Sequence, residues 1–268
     1  MYKRILVPVD GSRFSEQLIA SAAQLARATG TPLALLRVVE RADEQAEATR
    51  YLQALAAPTG AESLCRQAGT DGVAAAIGDE ARRVTGTLVA MCSHGRSGAM
   101  QALFGSVALQ VLRALGEPLV MYRPHTDTTT TLPKIARIVL PLDGSKLSEA
   151  VVPQAAALAK WLGAKVIVVS VIEPSVQIDS SVPSGDVMES SYVRTRAREI
   201  AERHDVPVGW EVLHGEPKQA IPQFARSLGD AMLAMTTHGH TGLRGVVTGS
   251  VTAQCLHDAQ VPVFIRLP

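Results

Sequence analysis

A chain of 268 residues accommodates one large domain or two of ordinary size, and 47% hydrophobic residues suffice to build cores without metal or disulfide staples. Its 26 Lys and Arg offset 25 Asp and Glu, and the balance holds by halves, 13 against 11 over residues 1–123 and 13 against 13 over residues 134–268. That distribution excludes the basic surface of a nucleic-acid binder. Three widely separated cysteines, Cys65, Cys92 and Cys255, make no disulfide framework. No apolar run approaches the ~18 residues that span a bilayer, and the opening Met1-Tyr-Lys-Arg-Ile-Leu lacks a signal-peptide pattern. The expected location is cytoplasmic.

In chain order, short runs rich in Val, Leu and Ile alternate with stretches of helical periodicity, the pattern of βαβ units and a parallel sheet. Strands are predicted at 3–9, 33–39, 62–67, 87–92 and 118–122. The first run ends in Asp10-Gly11-Ser12. A helix follows, capped by Ser12 or Ser15, with Leu18, Ala22, Leu25 and Ala26 as its apolar stripe and Gly30 at its close. A shorter helix is expected over Asp43–Ala57. After the fourth strand comes a glycine-bearing loop from Ser93-His94-Gly95 to Gly105-Ser106-Val107. Residues 124–134, with prolines at 124 and 133 and no apolar periodicity, read as a linker.

The pattern then starts again. Ile5-Leu-Val-Pro-Val-Asp10-Gly-Ser returns as Ile138-Val-Leu-Pro-Leu-Asp143-Gly-Ser, an offset of 133, and the glycine loop returns as Thr237-His238-Gly239 to Gly249-Ser250-Val251, an offset of 144. Strands are predicted at 137–142, 165–172, 207–213, 231–236 and 261–266, with Ser145 or Ser148 capping the first helix and Gly163 closing it. The polar stretch Glu173–Ser191 reads as a long loop, a flap or disordered, before a charged helix at Tyr192–His204. The fold class is α/β, two tandem doubly wound domains at 1–123 and 135–268, each a five-stranded parallel sheet of order 3-2-1-4-5.

In such a sheet ligands bind beyond the carboxyl ends of the strands where the order reverses, between strands one and four. Both repeated motifs follow those strands. A carboxylate there accepts hydrogen bonds from a ribose hydroxyl or a base amino group, and glycines let the backbone approach phosphate oxygens. Gly105-Ser106-Val107 and Gly249-Ser250-Val251 open helices whose free N–H groups favour an anion. Asp10 and Asp143 also suit a plain capping role. His94, His238 and His240 lack a metal-site spacing and read as loop-ordering groups.

With V-P-x-D early, G-x2-G-x9-G-(S/T) late and a closing P-V/L strand, each half resembles a universal stress protein domain across nearly its full length. The resemblance implies an adenine-nucleotide alpha-hydrolase-like fold with ATP, accompanied by Mg2+, as the ligand. It also implies base and ribose contacts from Asp10 and Val38 or Asp143 and Val171, and phosphate contacts from Gly95, Gly105, Ser106 and Val107 or Gly239, Gly249, Ser250 and Val251. The first motif glycine is Cys92 in one copy and Thr236 in the other, and a β-carbon there obstructs the site if a left-handed backbone or a contact with the ligand is required at that position. Pairing through last strands is implied as well, bringing Val120–Tyr122 beside Val263–Ile265 in an internal pseudo-two-fold pair, with homodimerisation of the whole chain a further option. There is no Walker lysine and no G-x-S-x-G elbow. The expectation is therefore a nucleotide-responsive regulator of the stress response, no enzyme, with at most slow incidental ATP hydrolysis. The alternative is a nucleotide-free tandem scaffold acting on partner proteins through surface contacts.

Overall fold

A computed structural model describes residues 2–92, 106–123, 134–173, 184–237 and 249–268. Apart from the last two residues the chain divides into two compact units, Met1–Lys134 and Ile135–Arg266. Unit 1 runs β1 (Arg4–Pro8), α1 (Arg13–Thr29), β2 (Leu33–Val39), a 3-10 turn (Ala42–Glu44), α2 (Gln45–Ala56), β3 (Glu62–Gln67), α3 (Gly72–Arg83), β4 (Thr87–Cys92), α4 (Ser106–Leu115) and β5 (Leu119–Tyr122). Unit 2 runs β6 (Arg137–Pro141), α5 (Lys146–Glu149), α6 (Val152–Leu162), β7 (Lys165–Ile172), α7 (Ser184–His204), β8 (Val208–His214), α8 (Pro217–Leu228), β9 (Ala231–Thr236), α9 (Ser250–Asp258) and β10 (Val263–Arg266).

All strand pairs within each unit are parallel, in the order β3-β2-β1-β4-β5 and correspondingly β8-β7-β6-β9-β10. The doubly wound α/β expectation holds. The central strands are buried on both faces, Ile5, Leu6, Val7, Ile138, Val139 and Leu140 being fully enclosed, as helices on the two sides of a parallel sheet require. Apolar runs located β2, β4, β7 and β9 at their predicted bounds; β3, in which only Leu64 is buried, also lies at its predicted 62–67, and the others differ by one or two residues at an end.

The first helix of each unit departs from symmetry. In unit 1 it is continuous, with the Gly30 N–H reaching the carbonyls of Ala26 and Arg27 at its close. In unit 2 it is interrupted between α5 and α6 by Pro153, which offers no N–H to the carbonyl four residues back. Arg266, the last residue of β10, spans the interruption, its Nη1 donating to Ala150 O and to Gln154 Oε1.

The second helix corrects an expectation. Residues 184–191, read from sequence as part of a long polar loop, form the first turns of α7, which is 21 residues long against 12 for α2. Gly185, Ser190 and Ser191 are weak helix formers, and a tertiary contact holds the turn instead, Ser170 Oγ of β7 donating to Glu189 Oε1. Strand register also resolves the length difference between the halves. Ala68 on Val39 matches Gly215 on Ile172, so the offset rises from 133 to 147 across the second crossover and falls back to 144 by the glycine loop.

The units differ in their interiors too. Unit 1 buries an ionic cluster: Arg4 Nη1 lies 3.0 Å from Glu80 Oε1, Arg66 Nε 2.7 Å from Glu80 Oε2, and Arg4 Nε donates to Thr87 Oγ1 at 3.2 Å. Glu80 is 3% exposed, and the guanidinium groups around it offset the cost of burying its carboxylate. At the matching positions unit 2 has Arg137, half-exposed and 3.1 Å from Asp230, and Phe224. Among the described residues no helix is long and apolar enough to cross a membrane.

Candidate functional site

At the carboxyl end of β1 the chain must turn sharply into α1, and Asp10-Gly11-Ser12 makes that turn. Gly11 has φ of 83° and Gly144, its counterpart, 77°, a left-handed backbone that a side chain would strain. The carboxylate is then locked from one side. Asp10 Oδ1 accepts from Ser12 N (2.9 Å), Ser12 Oγ (2.6 Å) and Ser15 Oγ (2.7 Å), while the Ser12 hydroxyl accepts from Ser15 N to cap α1. In unit 2 Asp143 Oδ1 accepts from Ser145 N (3.0 Å) and Ser145 Oγ (2.6 Å), and Ser145 caps α5 through Ser148 N. Here Ser148 Oγ donates to Ser145 O. The caps are thus Ser12 and Ser145, with Ser15 and Ser148 in support, and Asp10 is half-buried where Asp143 is exposed.

Val38 and Val171 lie level with these aspartates. Pro8 pairs with Leu36 and Pro141 with Val169, so two residues further on each strand Asp10 stands beside Val38 and Asp143 beside Val171. Both valines are half-buried. From the other side, β1 pairs with β4 and β6 with β9, so the segments after β4 and β9 emerge at the same sheet edge as the aspartates. Ser106 and Val107 form the exposed start of α4, and Ser250 and half-buried Val251 the start of α9, for which Gly249 is the N-cap. Helix openings of this kind carry unpaired N–H groups and the positive end of the dipole. Gly95, Gly105 and Gly239, with His94, His238 and His240, lie outside the described residues.

The structure removes the backbone-angle part of the objection raised by the missing first glycines. Cys92 and Thr236 are the last residues of β4 and β9, and neither has a positive φ; the backbone there suits any side chain. Cys92 Sγ donates to Phe14 O at 2.9 Å, and burial, reinforced by the charge of Asp10, pushes its thiol up to about 12. Thr236 is 4% exposed, and its carbonyl accepts from Thr252 Oγ1 at 2.8 Å, tying α9 to β9.

Sequence reasoning missed a second repeated pair. Tyr51 of α2 donates to Glu16 of α1 at 2.7 Å, and Tyr192 of α7 to Glu149 of α5 at 3.3 Å. Burial, then the glutamate partner, raises the Tyr51 phenol, and burial followed by the charge of Glu149 pushes that of Tyr192 up to about 12. The glutamates were readable, since Asp-Gly-Ser-Arg-Phe-Ser-Glu16 matches Asp-Gly-Ser-Lys-Leu-Ser-Glu149. Their tyrosines were not, because they sit in helices of unequal length. Among the described residues no group of three or more His, Cys, Asp and Glu is placed to hold a metal.

The sequence model of the Universal stress protein family matches residues 1–123 and again 134–265. The chain belongs to the universal stress protein family. A universal stress protein of Mycobacterium tuberculosis (strain ATCC 25618 / H37Rv) is 28% identical over 182 residues, 66% of this chain and 61% of that protein. One of Methanocaldococcus jannaschii is 28% identical over 136 residues, 48% of this chain and 80% of that protein. The chain spans about three fifths of the length of the mycobacterial relatives it matches. In fold it is similar to the crystal structure of a universal stress protein from Archaeoglobus fulgidus DSM 4304, with a TM-score of 0.71 at 17% identity over 100% of this chain and 99% of that one. A functionally unknown protein from Pseudomonas aeruginosa PAO1 gives 0.66 at 21% identity, covering 100% and 93%.

Proposed function

We propose that this protein is a stress-response regulator that binds an adenine nucleotide, ATP with Mg2+, in a cleft at the carboxyl ends of the strands, and that it signals by occupancy rather than by catalysis. The observation that carries the reading is the recurrence, in both units, of an anchored aspartate level with a half-buried valine, opposite a helix opening. In this reading Asp10 and Val38, or Asp143 and Val171, meet the ribose and base. The loop glycines Gly95 and Gly105, or Gly239 and Gly249, cradle the phosphates with Ser106 and Val107, or Ser250 and Val251. The donor set fits a nucleotide: the carboxylate is pre-oriented by serines, ordinary strand geometry at Cys92 and Thr236 leaves the cleft floor unstrained, and the helix N-termini supply N–H groups. Mg2+ would arrive with the phosphates, as is usual for that ion. An occupied cleft shifts the protein only as far as the nucleotide's differential affinity for two loop states allows.

Mass spectrometry of the small molecules released on denaturing the purified protein, paired with calorimetry of the protein titrated with ATP and Mg2+, tests the reading. Released adenine nucleotide, or saturable heat, is expected. Neither appearing would overturn it in favour of a nucleotide-free scaffold that works through partner proteins.

A further inference from the structure

Both units carry the same aspartate, glutamate and tyrosine at this corner, and among the described residues they differ in the charge that stands at one strand position beside it. Position 37 of unit 1 and position 170 of unit 2 are the same place in the repeat, one residue before Val38 and Val171. In unit 1 it is Arg37, whose Nη1 donates to Val9 O at 3.3 Å, next to Asp10 in the chain. Its guanidinium also lies near enough to the Tyr51 phenol to act on it electrostatically. In unit 2 the residue is Ser170, 4% exposed and bonded to the carboxylate of Glu189. The carboxylate comes from α7, three residues before Tyr192, where the residue three before Tyr51 in α2 is Ala48.

The same helix closes further on this corner. The Tyr192 hydroxyl lies 4.0 Å from the point a β-carbon on Gly144 would occupy, over the Asp143-Gly144-Ser145 turn. Arg196 of α7 also stands at this corner, paired with Glu149 and Glu199. At this strand position unit 1 therefore offers a guanidinium where unit 2 offers the Glu189 carboxylate, the Arg196 guanidinium being already engaged by Glu149 and Glu199. A nucleotide carries several negative charges, so it is attracted at one corner and repelled at the other, and a repulsive element of this kind discriminates as effectively as an attractive one.

We infer that Arg37 in unit 1 and the Ser170–Glu189 contact in unit 2 decide which cleft takes an anionic nucleotide: unit 1 binds it and unit 2 excludes it. The inference rests on the nucleotide reading above. Arg37 acts as a specificity determinant rather than as part of the phosphate cradle.

Calorimetric titration of the full chain with ATP and Mg2+ tests it, with hydrogen exchange locating the bound nucleotide. Wild type is expected to bind one equivalent, protecting the start of α4 and leaving the start of α9 unprotected. Arg37→Ser should weaken binding about tenfold and flatten its dependence on salt, a response that loss of packing alone would not produce. Glu189→Gln keeps a partner for Ser170 while removing the charge, and should admit a second equivalent that protects α9. Two equal sites in wild type, protection at α9 alone, or a Glu189→Gln protein still limited to one equivalent would overturn the inference while leaving the nucleotide reading intact. Absence of binding in wild type and both variants would instead remove the nucleotide reading and this inference with it.

Discussion

Unit 1 and unit 2 share strand order, register and turn chemistry, yet they solve the same packing problem with different materials. Unit 1 encloses a charge cluster around Glu80 and keeps its first helix whole; unit 2 puts Phe224 where Glu80 would be and breaks that helix at Pro153. The repeat therefore constrains where backbone goes and where the sheet presents its carboxyl edge. It leaves the interior free to be ionic or apolar, provided that each buried charge is matched.

The sharpest way to break the comparison is to unmatch one. Glu80→Ala strands Arg4 in the interior and should cost about 4 kcal/mol, as for other buried pairs that lose one partner. Denaturant unfolding should then split into two steps with unit 1 melting first. Arg137→Ala in unit 2 removes a half-exposed pair and should cost about 0–1 kcal/mol in the same measurement.

A second effect separates the two clefts. Cys92 faces the Asp10 turn with its thiol held up to about 12 by burial and the charge of Asp10, so at pH 8 its thiolate fraction is far below that of a free cysteine. A thiol reagent followed by peptide mapping should modify Cys92 far more slowly in the folded protein than in the unfolded one. The folded value lies above the unfolded one, so the protonated thiol's contribution to stability is present below pH ~9 and is lost as the pH climbs toward 12. Cys92→Ser should flatten that part of the stability profile; Thr236 gives unit 2 no equivalent there.

The smallest effect concerns the caps. Ser12→Ala removes both the α1 cap and a donor to Asp10 in a half-buried setting and should cost about 1–2 kcal/mol. Ser145→Ala, capping a helix of only four residues at a more exposed turn, should cost about 0.5–1 kcal/mol. Equal costs for the two would mean that the turns are energetically alike despite their different burial.

What could be read in advance follows from the range of the interactions concerned. Strands buried on both faces declare themselves as apolar runs, and the Asp-Gly-Ser turn with its cap is complete within six residues, so both were visible in the chain. The start of α7 was not, because Ser184–Ser191 becomes helical through Glu189 meeting Ser170 from another strand. Tyr51 and Tyr192 escaped for a related reason: each meets a glutamate more than thirty residues away, from helices whose lengths differ between the units. The part of the objection to Cys92 and Thr236 that concerned backbone angles needed coordinates, which place both in ordinary extended strand.

The register of the first crossover has a practical corollary. Ile5 faces Leu33 and Ile138 faces Val166, the same spacing in each unit, whereas the connection leading to β8 is longer than that leading to β3. The β1–α1–β2 segment serves as a fixed ruler, and insertions have collected downstream of it. A sensor peptide or affinity tag spliced between β7 and β8 would join the chain where length has already proved negotiable, while a single residue added between β1 and β2 would slide Val38 out of step with Asp10.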